Sequence, residues 1–112
     1  VSTPTITVQP TVYTVTLFPD DPMWSSVYEL TVAHRDRGRW AVCRMGQCLS
    51  IDGQWHVEPS PSNRDDDWLA SHRFDLDTAL SMAREAAPNI RVNGRTARDV
   101  ARAREGGQTP TA

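Results

Sequence analysis

The chain has 112 residues, 38% of them hydrophobic and 23% charged. That is enough for one modest core and too little for two domains, and it is too apolar for a chain that stays unfolded. The formal charge of −2 does not call for nucleic acid or an anionic membrane as a partner, and no apolar run approaches the roughly 20 residues of a membrane helix.

Residues 1–10, VSTPTITVQP, are uncharged and rich in Thr and Pro. They read as a flexible arm or an edge segment, because Pro4 and Pro10 each remove a ladder donor. From Thr11 to Phe18 the residue types become β-like, and Pro19-Asp20-Asp21-Pro22 stops the run as a turn. Val27 to His34 is expected as a second strand, with Tyr28, Leu30 and Val32 on one face. Arg35-Asp36-Arg37-Gly38 makes a turn into a third strand, Arg39 to Met45. Gly46 turns the chain into Cys48–Ile51, and Asp52-Gly53 turns it again into Gln54–Val57. Three hairpins in succession predict an antiparallel meander.

Glu58 to Arg73 is a long connection in which Trp68-Leu69-Ala70 is expected to form a single helical turn. Leu76 to Ala87 carries apolar residues at helical spacing, with Asp75 as N-cap and Pro88 as terminator. Asn89–Val92 is a short strand or extended link, and Asn93-Gly94 a turn. Thr96-x-x-Asp99 opens a second helix to about Arg104, ended by Gly106-Gly107. The fold class is therefore α+β: a small antiparallel sheet of four to five short strands, one main helix and a second C-terminal helix. Its organisation is an arm at 1–10, one domain at 11–105 and a disordered tail at 106–112.

Four constellations carry chemistry. Cys43 and Cys48 flank the Gly46 turn, so they lie opposite each other if Met45 and Gly46 are the loop. They then either pack as reduced thiols or form a bridge. The acid run Asp65-Asp66-Asp67, with His56, Glu58 and His72 near it in sequence, suggests a metal-dependent enzyme as a third-ranked reading. Consecutive Asp side chains splay into solvent, however, and no spacing of Cys and His marks a zinc site, so no metal, cofactor or catalytic residue is assigned. All twelve basic residues are Arg. Arg91, Arg95, Arg98 and Arg102 would line one face if a single helix ran through them, which gives a nucleic-acid-binding alternative. The surface Arg64, Asp65, Asp66, Asp67, Trp68, His72 and Arg73 combines charge with an aromatic anchor and suggests a protein contact.

Between residues 40 and 96 the motifs Trp40, Gly46, Asp52-Gly53-Gln54-Trp55, Glu58-Pro59, Pro61-Ser62-Asn63-Arg64, Asp67-Trp68-Leu69-Ala70-Ser71-His72-Arg73-Phe74, Ala79-Leu80, Ala83 and Val92-Asn93-Gly94-Arg95-Thr96 resemble small uncharacterised proteins of actinobacteria and their bacteriophages. The resemblance implies one hairpin–loop–helix unit and brings no activity, so no functional residue is carried over. It implies a non-enzymatic accessory protein that binds a host or partner protein. No signal peptide or membrane segment is read at the start of the chain, and the expected location is the cytoplasm, that of the host for a phage gene. Self-association is expected only through strand Thr11–Phe18, should it form a sheet edge.

Overall fold

Met45 and Gly46 both have positive φ, 50° and 78°, the backbone of a two-residue hairpin loop. They set Arg44 opposite Gln47 and Cys43 opposite Cys48. Around this turn the computed structural model describes residues 3–105. Strands β1 (Val12–Val15), β2 (Leu30–His34), β3 (Trp40–Arg44), β4 (Gln47–Leu49) and β5 (Trp55–Val57) form one five-stranded antiparallel sheet, in which spatial order equals chain order. A separate two-stranded hairpin, β6 (Arg91–Val92) and β7 (Arg95–Thr96), turns at Asn93 and Gly94. With the helices below, the α+β class expected from sequence is borne out.

The described residues contain four α-helices where two were expected: α1 (Pro22–Tyr28), α2 (Asp66–His72), α3 (Leu76–Ala86) and α4 (Ala97–Glu105). α1 corrects the expectation of a strand starting at Val27. Pro19-Asp20-Asp21-Pro22 both stops a strand and starts a helix. The Asp21 carboxylate accepts from the backbone N–H groups of Met23 and Trp24 at 3.1 and 3.2 Å, and Pro22 occupies the first turn, where its missing donor costs nothing. Trp24 and Tyr28, one turn apart, then stack at 6.0 Å. The buried Tyr28 hydroxyl donates to the Arg95 carbonyl at 3.0 Å, tying α1 to β7.

Asp21 also accepts from Arg104 of α4 at 2.7 Å. Asp21→Ala therefore removes a cap and an ion pair, and the melting midpoint is expected to fall by about 4–8 °C, the equivalent of about 1 kcal/mol. Asp21→Asn keeps a capping oxygen and should lose less in the same thermal melt.

α2 is longer than the single turn expected at Trp68. Asp65 caps it by accepting from the Trp68 N–H at 2.8 Å, and Asp66 and Asp67 sit in its first turn, where the helix dipole favours negative charge. α3 begins as expected, with Asp75 accepting from the Thr78 N–H at 2.8 Å. α4 follows the Thr96/Asp99 capping box.

Because side chains alternate across a pleated strand, the sheet has two different faces. Leu30, Val32, Trp40, Val42 and Leu49 pack in one core with Ala79 and Ala83 of α3, whose helix lies over β2 and β3. The opposite face carries one cross-strand row, Thr14–Thr31–Cys43–Cys48–His56. The chain from Glu58 through α2 lies against this face. Backbone bonds fasten its end to the sheet: Ile51 N–H donates to Ser71 O at 2.8 Å, and Trp40 and Phe74 exchange bonds of 2.7 and 2.9 Å.

Residues 3–11 lead into β1 exposed and without regular structure. The rest of the arm expected at 1–10, the helix stop at Gly106-Gly107 and the tail expected at 106–112 lie outside the described residues. No helix among the described residues is long and apolar enough to cross a membrane.

Candidate functional site

The polar row of the sheet meets the Glu58–Arg73 connection at one cluster. Its centre is Glu58, one residue past β5. The carboxylate accepts from Arg73 at 2.6 Å and from Arg35 through two bonds, of 3.0 and 3.2 Å. Arg64 approaches at 3.8 Å and spends its Nε donor on the Pro59 carbonyl at 2.8 Å. The Arg73 side chain is only 1% exposed and that of Glu58 17%, so this pair is largely withdrawn from water. Burial alone would raise the Glu58 carboxyl, but the hydrogen bonds from Arg35 and Arg73 outweigh it and hold the pKa at about 2.

The guanidinium groups that hold Glu58 also face the two cysteines. Arg35 Nη2 lies 3.4 Å from Cys43 Sγ, and Arg73 Nη1 lies 4.0 Å from Cys48 Sγ. The two sulfurs are 3.7 Å apart and both are free thiols. The hydrogen bond from Cys48 lowers the Cys43 pKa to about 7, against the effect of burial and with help from Arg35. The same hydrogen bond, followed by burial, pushes Cys48 upward. The dithiol thus has one acidic sulfur on the partly buried Cys43 and one on the fully buried Cys48 that keeps its proton.

Beside the thiols, His56 Nδ1 and His72 Nε2 are 2.8 Å apart. His72 Nδ1 lies 2.8 Å from the Trp68 carbonyl, which can only accept. The Ser71 hydroxyl lies at the same 2.8 Å from His72 Nδ1, so the ring sits between two polar partners on that side and His56 on the other. The Trp68 ring stacks flat on His72, with centroids 4.2 Å apart and planes at 5°, and the Arg73 guanidinium lies 4.9 Å from the same ring.

This geometry redistributes the residues singled out from sequence. Of the expected contact surface, His72 and Arg73 are buried and turned into the cluster, Trp68 is half-buried as their stacking partner, and Arg64 is held at Pro59 and Glu58. Asp65, Asp66 and Asp67 stay exposed and serve the start of α2. The acid run begins the helix that His72 ends, so it does not join His56 and His72. Among the described residues no group of three or more His, Cys, Asp or Glu side chains is placed to hold a metal ion.

Arg91, Arg95, Arg98 and Arg102 do not form one helical stripe. The first two lie on the β6–β7 hairpin, and only Arg98 and Arg102 are on α4, both exposed. Arg35 was not among the expected site residues, and Glu58 was expected beside the acid run and not with Arg35 and Arg73. Their sequence separation gives no signal, and only the meander brings them together. Compared with family models, with curated proteins and with solved structures, the chain matches none.

Proposed function

We propose that this chain is an accessory protein that acts by binding another protein, and that residues 4–12 are the strand it offers. The observation that carries the reading is an amphipathic strand pattern with nothing to cover it. Pro4, Ile6, Val8, Pro10 and Val12 alternate with Thr5, Thr7, Gln9 and Thr11, which is the period of a half-buried strand. Yet Ile6 is 92% and Val8 94% exposed. The segment runs into β1 and extends beyond its pairing with β2, which among the described residues is the one strand β1 pairs with. An exposed apolar strand at a sheet edge is a template for strand addition.

The prolines choose the side. In an extended chain the backbone groups of alternate residues point to opposite edges. Pro4 and Pro10 both fall among the even-numbered residues, so only that edge lacks donors. Thr5, Thr7, Gln9 and Thr11 keep a complete set, and the Thr11 carbonyl already accepts from His34 N–H of β2 at 2.7 Å. A partner strand is expected along the Thr5–Gln9 edge, in line with β2. This surface differs from the Arg64–Arg73 surface read from sequence, whose central members turn inward.

The test is affinity capture with the full chain and with Ile6→Asp/Val8→Asp. The substitutions are on exposed side chains and should leave the melting midpoint unchanged. Burying two aliphatic side chains is worth about 1.5–3 kcal/mol each, so the double variant should lose a specific partner by well over tenfold in affinity. Equal recovery of the same partner by both proteins would overturn the reading. So would recovery of nothing by either, with a monomer in light scattering. A concentration-dependent dimer lost in the variant would make the partner a second copy of the chain.

A further inference from the structure

We propose that Cys43 and Cys48 form a thiol–disulfide exchange site, in which Cys43 attacks a low-molecular-weight or protein disulfide and Cys48 resolves the mixed disulfide. This chemistry goes beyond partner binding and rests on a different part of the molecule.

Three features of the geometry carry it. The Met45-Gly46 loop fixes the two cysteines directly opposite each other on β3 and β4. Their sulfurs stand 3.7 Å apart, so a bond needs side-chain rotation and no change of register. Exposure is unequal. Cys48 is fully buried, whereas Cys43 opens onto a cleft of about 240 Å³ between α1 and the β3–β4 turn, lined by Ser26, Glu29, Thr31, Arg44, Met45 and Gly46. An attacking sulfur reached from solvent and a resolving sulfur reached only from within are what directional exchange requires. Finally, a guanidinium stands beside each sulfur, Arg35 at Cys43 and Arg73 at Cys48. Positive charge favours thiolate at the attacking sulfur and again at Cys48 when it must give up its proton.

The step balances without another redox partner. Cys43 thiolate attacks one sulfur of R–S–S–R′, the S–S bond breaks, and R′–S⁻ leaves and takes a proton from solvent. Cys48 then loses its proton and attacks Cys43 Sγ, forming the Cys43–Cys48 disulfide and releasing R–S⁻. The protein dithiol is oxidised by two electrons and the substrate disulfide is reduced to two thiols.

The probe is oxidised glutathione added to the reduced full chain, followed by intact-mass analysis. Wild type should end as the internal disulfide with no adduct. Cys48→Ser should stop at a single glutathionyl adduct on residue 43, and Cys43→Ser should remain unmodified. The alkylation rate of Cys43 should rise with an inflection near pH 7. The charged and titratable groups around Cys43 are Arg35, Glu58, Arg73 and Cys48, with Glu29 and Arg44 lining the cleft. Arg35→Gln should move the inflection upward while the fold, checked by circular dichroism, persists. Wild type that accumulates an unresolved adduct, Cys43→Ser that reacts as fast as wild type, or no reaction at all would each overturn the proposal. The segment Ile6/Val8 double variant should react like wild type, so failure of this site and failure of the strand-addition reading are told apart.

Discussion

Glu58→Gln should lower stability by about 3–5 kcal/mol, because it leaves a buried guanidinium without its counter-charge. Arg73 is the reason for the size of the effect. Its side chain is 1% exposed and its 2.6 Å bond to Glu58 is the shortest in the cluster, whereas Arg35 and Arg64 are partly solvated and recover hydration when the carboxylate goes. For a domain of this size that loss takes a large share of the total stability and moves the melting midpoint down by more than about 10 °C. The pH dependence has a definite sign. The folded-state pKa of Glu58, about 2, lies below its ordinary value of 4.5, so the carboxylate contributes its stabilisation fully above 4.5. That contribution drains away as pH falls toward 2. Urea midpoints measured across this window should drop in wild type and stay flatter in Glu58→Gln. Replacing Arg35, Glu58 and Arg73 together with apolar residues of similar volume should recover most of the loss, as for other buried charge clusters.

Trp40→Ala should cost about 3–5 kcal/mol. The indole packs against Tyr13 at 5.6 Å and His34 at 5.2 Å, so one side chain joins β1, β2 and β3. Its backbone also pairs with Phe74, the residue after Arg73, and so helps place the buried guanidinium. A urea titration gives the stability loss. The Cys43 alkylation profile in the surviving folded fraction should shift upward in pH if Arg73 is displaced with Phe74. Trp40→Phe keeps an aromatic ring against Tyr13 and should retain most of the stability.

Local chemistry explains which parts of this fold were legible in the sequence. Gly46, Asp52-Gly53 and Asn93-Gly94 each announce a turn by the conformations they permit, and a loop of Met45 and Gly46 sets Cys43 opposite Cys48. α3 was legible from Asp75, its apolar spacing and Pro88. α1 was not, because Pro19-Asp20-Asp21-Pro22 suits a strand stop and a helix cap equally, and because Trp24, Val27 and Tyr28 suit a buried strand as well as a helix. The run Asp65–Asp67 read as solvated loop charge, yet Asp65 is a cap and its neighbours stabilise the first turn of α2. The Glu58 cluster was invisible for a different reason. Arg35, Glu58 and Arg73 carry no local pattern, and their meeting depends on strand register and on α2 folding back over the sheet. The alternation from Pro4 to Val12 is present in the letters, but Pro4 and Pro10 argue against a strand there.

The sheet's spatial order, identical to its chain order, has a kinetic consequence. Each strand finds its neighbour across a short stretch of chain, so little loop-closure entropy is spent before pairing begins to stabilise the ensemble. The hairpin at Met45-Gly46 can close first and the others add to it outward, with the docking of α3 on one face and of the Glu58–Arg73 connection on the other as the later events. Among the described residues no strand returns from far along the chain to cover β1, so the sheet keeps that edge open.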